Sequence, residues 1–152
     1  LGLVGWEVKN SGFKGFDAGG TRALSVAWAD EDEPLERIVI AEAVLDAMSW
    51  CQLYDQPGTG TAYISTGGAS LSGEQLDLIL RFVTASKVPL VILAVDADAA
   101  GYKMAQDVTA LVAAHGVECV RDLPPDGLKD WNEALQSHVA AAARLRPREG
   151  EK

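Results

Sequence analysis

Two aspartates, Asp96 and Asp98, stand one residue apart directly after the apolar run LVILAV (90–95). Like charges so close repel unless water, a proton or a cation separates them. Glu42 directly follows another apolar run, RIVIA (37–41), and Asp130 lies beyond a third, VECVRDL (117–123). Asp46 is one helical turn beyond Glu42 and shares its face at i, i+4. If those runs are parallel strands, acids from separate parts of the chain arrive at one edge of one sheet. Hard oxygen ligands favour magnesium or manganese over zinc or copper. Magnesium held by a few carboxylates keeps waters and takes phosphate oxygens, and that pattern points to phosphoryl or nucleotidyl transfer.

Each residue also has a purely structural use. Asp98 is well placed to cap the helix expected from Ala99, and Asp130 with Glu133 has capping-box-like spacing before Trp131. Asp46 could be a solvated helix residue. Glu42 is harder to explain that way, because a small residue or a cap would suffice after an apolar strand. Gly67-Gly68, after the run AYIST (61–65), reads either as a tight turn or as a place where backbone approaches a phosphate or a strand closely. The convergence of the acids, rather than any single one, carries the functional expectation.

The elements that must position them follow from periodicity. Short apolar runs at 37–41, 61–65, 90–95 and 117–123 alternate with amphipathic segments at about 44–53, from "GGASLSGEQ" through about 85, 99–114, and from Trp131 into an Ala-rich stretch. Ser72 and Gln75 have capping-box spacing, and Gly116 is placed to close the third helix. This order predicts a four-stranded parallel sheet with helices on both faces, whose ligand site lies at the carboxyl ends of the strands. Residues 1–36 differ: Gly-rich and aromatic, with short alternating runs, they predict a small antiparallel β lobe joined by the acidic DEDEPLE (30–36). The expected organisation is a lobe at 1–36, an α/β domain at 37–143 and a frayed tail at 144–152.

The chain has 152 residues, 48% hydrophobic and 23% charged, which suits one globular domain with a small appendage. A net charge of −9 argues against a protein that merely coats a duplex, but not against a nucleic-acid enzyme whose acids hold metal ions. Cys51 and Cys119 lie far apart in apolar contexts, with no Cys/His cluster for zinc, and are expected as free thiols in a reducing compartment. No apolar run approaches the length of a membrane span. The initial Leu1 suggests a piece of a longer protein, and nothing at the start of the sequence reads as an export leader.

Taken in order, these motifs resemble the Toprim domain of topoisomerases and primases. IAEAVLDAMS resembles the strand followed by Glu-Gly-x-x-Asp-Ala, ISTGGASLS the glycine turn, and DADAAG the Asp-x-Asp-x-x-Gly motif. LPPDGLKDWNEAL resembles the Lys-Asp-x-Asn-Glu segment of primase-type members. The resemblance covers about residues 37 to 136. The stretch KNSGFKGFDAGGTRALSVAWA is similar to the region preceding Toprim in bacterial primases, and closer to Toprim proteins of plasmid and mobilisation type. Two departures stand out. Ala43 replaces the family glycine and would be strained if that position needs positive φ, and Asn132 stands where some primases have aspartate.

The resemblance implies catalysis by Glu42, Asp96 and Asp98, with Mg²⁺ (or Mn²⁺) as cofactor held by those acids, Asp46 and Asp130. It implies contacts to nucleotide or nucleic acid from Lys9, Lys14, Arg22, Gly67, Gly68, Lys103, Lys129 and Asn132. For Lys9, Lys14, Arg22 and Lys103 the alternative is ordinary solvated charge. The implied function is primer synthesis on a single-stranded DNA template from nucleoside triphosphates. A helicase or further domains of the parent protein are implied partners, and no membrane is. The implied location is the cytoplasm of a bacterium, with a plasmid or mobile element as a source. Tyr54, Tyr63 and Tyr102 show no sign of a topoisomerase nucleophile. Toprim nucleases are the rival enzyme class, and a non-catalytic nucleic-acid-binding or assembly module is the rival outside catalysis. The haloacid-dehalogenase phosphatases also use Asp-x-Asp, but at the end of their first core strand rather than the third.

Overall fold

A computed structural model describes residues 7–10, 13–16, 23–28, 34–54 and 60–145. Along the chain come β1 (Glu7–Asn10), β2 (Phe13–Phe16), β3 (Ser25–Trp28), β4 (Arg37–Ala41), α1 (Val44–Tyr54), β5 (Thr61–Ser65) and α2 (Gly73–Ser86). Then follow β6 (Leu90–Ala94), α3 (Ala99–Ala113), β7 (Glu118–Asp122) and α4 (Trp131–Leu145). The four apolar runs form β4, β5, β6 and β7, all mutually parallel where they pair. Parallel neighbours joined through helices force crossovers, so helices must cover the sheet.

Period-2 alternation sorts the strand residues between two helical layers. Ile38, Ile40, Ala62, Ile64, Val91 and Leu93 are fully buried and pack with Ile79 and Val83 of α2 and Met104, Val108 and Val112 of α3. The intervening residues Val39, Ala41 and Ala94 pack on the other face with Ala47 and Trp50 of α1 and Trp131 and Ala134 of α4. Helices therefore cover both faces, α2 beside α3 on one and α1 beside α4 on the other. The capping box is formed: Ser72 Oγ accepts from the Gln75 amide at 3.2 Å, and Gln75 Oε1 accepts from the Ser72 amide at 3.2 Å. Gly116, at φ 75°, turns the chain out of α3.

The sheet has five strands rather than four, in the order β3-β5-β4-β6-β7. The fifth, β3, runs antiparallel to β5 with Ser25 opposite Ser65 and Trp28 opposite Ala62. Residues 25–28, expected within the N-terminal lobe, thus belong to the main sheet. The physical reason is β5's outer edge, whose backbone groups need partners that no later strand supplies. Trp28 also packs on Phe82 of α2, with ring centroids 6.0 Å apart. The rest of the lobe follows expectation in one respect: β1 and β2 form an antiparallel pair that sets Lys9 opposite Lys14. Among the described residues no helix is long and apolar enough to cross a membrane.

Adjacent residues of α2 separate core from surface. Ile79 is wholly buried whereas Leu78 is 42% exposed. Ile79→Ala should lower unfolding free energy by about 2–5 kcal/mol in urea melts, and Leu78→Ala by no more than about 0.5 kcal/mol.

Candidate acidic site at the carboxyl edge of the sheet

Ala41 and Ala94, the last residues of β4 and β6, are register partners. The chain leaving each strand therefore emerges side by side. Glu42 Oε1 accepts a hydrogen bond from the Asp96 amide at 3.3 Å, joining the two exits directly. Their approach leaves no room for a side chain at Gly101 in the first turn of α3. A Cβ there would lie 2.5 Å from the Asp96 carbonyl oxygen and 2.9 Å from Glu42 Oε1. The glycine of DADAAG is thus required by packing.

Burial and mutual repulsion both act on these acids. Desolvation pushes the Glu42 carboxyl up to about 7, with the charges of Asp96, Asp98 and Asp46 adding to the rise; the amide bond from Asp96 opposes it. Desolvation also pushes Asp96 up to about 6, reinforced by Asp46, Asp130 and Asp98 and opposed by Lys129. The five acids singled out by sequence are thus electrostatic neighbours. Asp96 Oδ1 is buried with no hydrogen-bond partner, and the Lys129 ammonium stands 3.9 Å from Asp96 Oδ2. Lys129 is held near by its own backbone, whose carbonyl accepts from the Ala97 amide at 2.9 Å.

Three acids also serve the local backbone. Asp98 Oδ1 caps α3, accepting from the Ala100 and Gly101 amides at 2.9 Å each. Asp130 Oδ1 accepts from the Glu133 amide at 2.8 Å, and Glu133 Oε2 accepts from the Lys129 amide at 2.8 Å. Asp46, buried on α1, accepts from the Asn132 amide at 3.2 Å through Oδ1 and so ties α1 to the start of α4. These contacts fix where the carboxylates sit. Among the described residues no three His, Cys, Asp or Glu side chains stand as a ready-made ion cage. The donor set nevertheless suits a hard divalent cation: all oxygen, mutually repelling, with one buried oxygen left unpaired. Glu42 and Asp96 are the residues that would hold it.

The glycine turn meets the same edge. The Thr66 amide donates to the Ala41 carbonyl at 3.1 Å, and Ser65 Oγ donates to the Glu42 carbonyl at 3.4 Å. Gly67 and Gly68 have φ of 71° and 139°, so both need glycine. A Cβ at Gly68 would meet nothing within 4 Å, leaving that side open to a ligand. Gln75, legible in sequence only as a capping residue, is 1% exposed and donates Nε2 to the Thr66 carbonyl at 2.8 Å. One side chain therefore anchors both the helix start and the turn. Ala43 shows no strain: among the described residues Lys87 is the only non-glycine with positive φ, and the Ala43 carbonyl begins α1 by accepting from Ala47.

The candidate nucleic-acid contacts divide. Gly67, Gly68, Lys129 and Asn132 lie at the acidic edge. Lys103 is exposed on α3 and pairs with Asp107 at 2.7 Å, its solvated-helix alternative. Lys9 and Lys14 sit on the β1–β2 pair, and Arg22 lies outside the described residues.

A family model described as Toprim-like matches residues 39–135. No curated protein matches the chain. Among solved structures, the primase fragment of the bacteriophage T7 primase-helicase protein is similar, with a TM-score of 0.59 and 19% identity. The match covers 93% of this chain and 54% of that one, so the chain spans about half the length of that fragment.

The raised carboxyls have a stability consequence whose sign is fixed by linkage. The folded state holds these protons more tightly than the unfolded chain does, so the acids destabilise the fold increasingly from about pH 4 up to their folded values. Asp96→Asn removes one of the charges and should raise Tm relative to the parent at pH 8. Near pH 4 that difference should vanish, as thermal melts across pH would show. Gly101→Ala should lower stability by about 1–3 kcal/mol in denaturant melts, because backbone must move to admit the methyl group.

Proposed function

The chain belongs to the Toprim-like family, and from that premise we propose that it is the catalytic part of a primase-like nucleotidyltransferase. It joins ribonucleoside triphosphates into short RNA primers on single-stranded DNA, with magnesium or manganese as cofactor. The observation that carries this reading is the gathering of Glu42, Asp46, Asp96, Asp98 and Asp130 at one sheet edge, where Asp96 keeps a buried oxygen unpaired. When bound there, the divalent ion supplies charge stabilisation for the transferring phosphoryl group and for the pyrophosphate that leaves.

The chain's own groups do the rest. Glu42, tied to the Asp96 amide through Oε1, is proposed to stand near the primer 3′-hydroxyl, either as a ligand of the ion or as the base that takes the hydroxyl proton. Asp96 offers the unpaired Oδ1 to the ion, while Lys129 offsets its charge through Oδ2. Asp98 keeps α3 capped through Oδ1 and adds its charge to the edge. Asp46 and Asp130 hold α4 against this edge and add negative potential that favours a cation. The open backbone at Gly68 and the Lys129 ammonium are the contacts for phosphate oxygens. Lys9, Lys14 and Arg22 are proposed to meet the template from the N-terminal lobe. The similar T7 fragment comes from a primase-helicase protein, and by that likeness a helicase is the proposed partner of the longer protein.

One observation favours a rival. Asp98, Asp130 and Asp46 each already serve a backbone amide, as a non-catalytic nucleic-acid-binding module would also arrange them. The parent protein, incubated with single-stranded template, ribonucleotides and magnesium, distinguishes the possibilities. De novo short RNA is the expected product, with Glu42→Gln lowering its rate by about 10²–10⁴-fold and Asp96→Ala abolishing it. Template degradation lost in Asp96→Ala would instead indicate a nuclease. Binding of template with neither product would indicate the module.

A further inference from the structure

A second cavity lies beside the acidic edge, on the face of the sheet that carries α1 and α4. Those helices lie over the middle of the sheet, and among the described elements no helix packs over β3 there. The result is a groove of about 350 Å³ between α1 and the two outer strands. Val44, Met48 and Cys51 line it from α1, Tyr63 and Ser65 from β5, and Ser25 from β3. Among the described residues no charged side chain lines it. Its volume lies at the low end of the ~300–1,000 Å³ typical of small-ligand pockets.

Its position gives it meaning. Ser65 lines the groove and donates through Oγ to the Glu42 carbonyl at 3.4 Å. Val44, two residues beyond Glu42, is another lining residue. The groove therefore reaches the carboxyl edge of the sheet at the Glu42 backbone. A ligand reaching both places has an anionic end that needs a cation and an uncharged end that prefers an apolar wall. We propose that this groove binds the nucleoside portion of a nucleotide whose phosphates lie at the acidic edge, with the base against Tyr63 and α1.

Two features suit the flat face of a base. Tyr63 supplies an aromatic wall, and every base has a face that stacks on one. The Met48 thioether is 61% exposed and adaptable against a flat ring. The site deepens the nucleotidyltransferase reading and rests on it only for the placement of the phosphates.

Cys51 makes the groove testable. It is a free, half-buried thiol in the lining, whereas Cys119, also free and half-buried, packs with the opposite helical layer and accepts from Thr109 Oγ1 at 3.5 Å. Cys119 is an internal reference. Alkylation of both thiols in the 152-residue chain would be followed by mass spectrometry with magnesium and ATP, magnesium and inorganic triphosphate, or magnesium and a short oligothymidylate. ATP or the oligonucleotide should slow labelling of Cys51 at least fivefold and leave Cys119 unchanged, while inorganic triphosphate should protect neither. Protection by ATP assigns the groove to an incoming nucleotide, and protection by the oligonucleotide alone assigns it to a strand. Equal protection of both thiols, protection by inorganic triphosphate, or no protection would overturn the proposal. Met48→Ser, an exposed change, should weaken nucleotide protection severalfold; an unchanged value would also overturn it. Protection without primer synthesis would leave the groove standing and remove the reaction. Primer synthesis with Cys51 unprotected would do the reverse.

Discussion

The structure is organised around a repulsion that it does not relieve. Glu42 and Asp96 follow neighbouring strands whose last residues, Ala41 and Ala94, are register partners, and they are joined by an amide-to-carboxylate bond of 3.3 Å. Burial makes each charge costly, and three further aspartates raise the potential around them. A fold selected for stability alone would place apolar or small residues at such exits. Instead the surroundings are adapted to keep the acids close. Gly101 gives up its side chain to admit them, and Asp46 crosses from α1 to the α4 backbone. Lys129 brings one positive charge near Asp96.

The same constraint explains the division of labour among the acids. Asp98 and Asp130 hold helix starts with one oxygen, so the helices and the electrostatic field are positioned by the same atoms. A cap and a site residue are therefore not competing assignments here. Gln75 does the equivalent work for the glycine turn, because its amide satisfies the Thr66 carbonyl while its oxygen completes the start of α2. Such shared use fixes the positions of these groups relative to the helix starts, the kind of preorganisation that aims charges before a ligand arrives. The apolar groove that reaches this edge at Ser65 lies on the face carrying α1.

Much of this was legible in the sequence because it depends on local order. The four parallel strands announce themselves as short apolar runs, and Asp96 and Asp98 fall at a strand exit whatever the tertiary details. The caps of Asp98 and Asp130 follow from their spacing to Gly101 and Glu133. What was not legible depends on distant partners. The run SVAW is too short to reveal which edge it joins, and β3 exists in the main sheet because β5 offers an open side. Burial of Gln75 cannot be inferred from its spacing to Ser72. Whether Ala43 needs positive φ could not be read from its sequence, and its backbone in fact starts an ordinary helical turn.

The central claim is that this edge holds a divalent cation. Anomalous scattering from crystals soaked in millimolar manganese tests it most directly. The account predicts a peak within coordination distance of Asp96 Oδ1 and the Glu42 carboxylate, lost in Asp96→Ala. No peak at that concentration, with Glu42 and Asp96 still joined through the amide and Lys129 still beside Asp96, would contradict it.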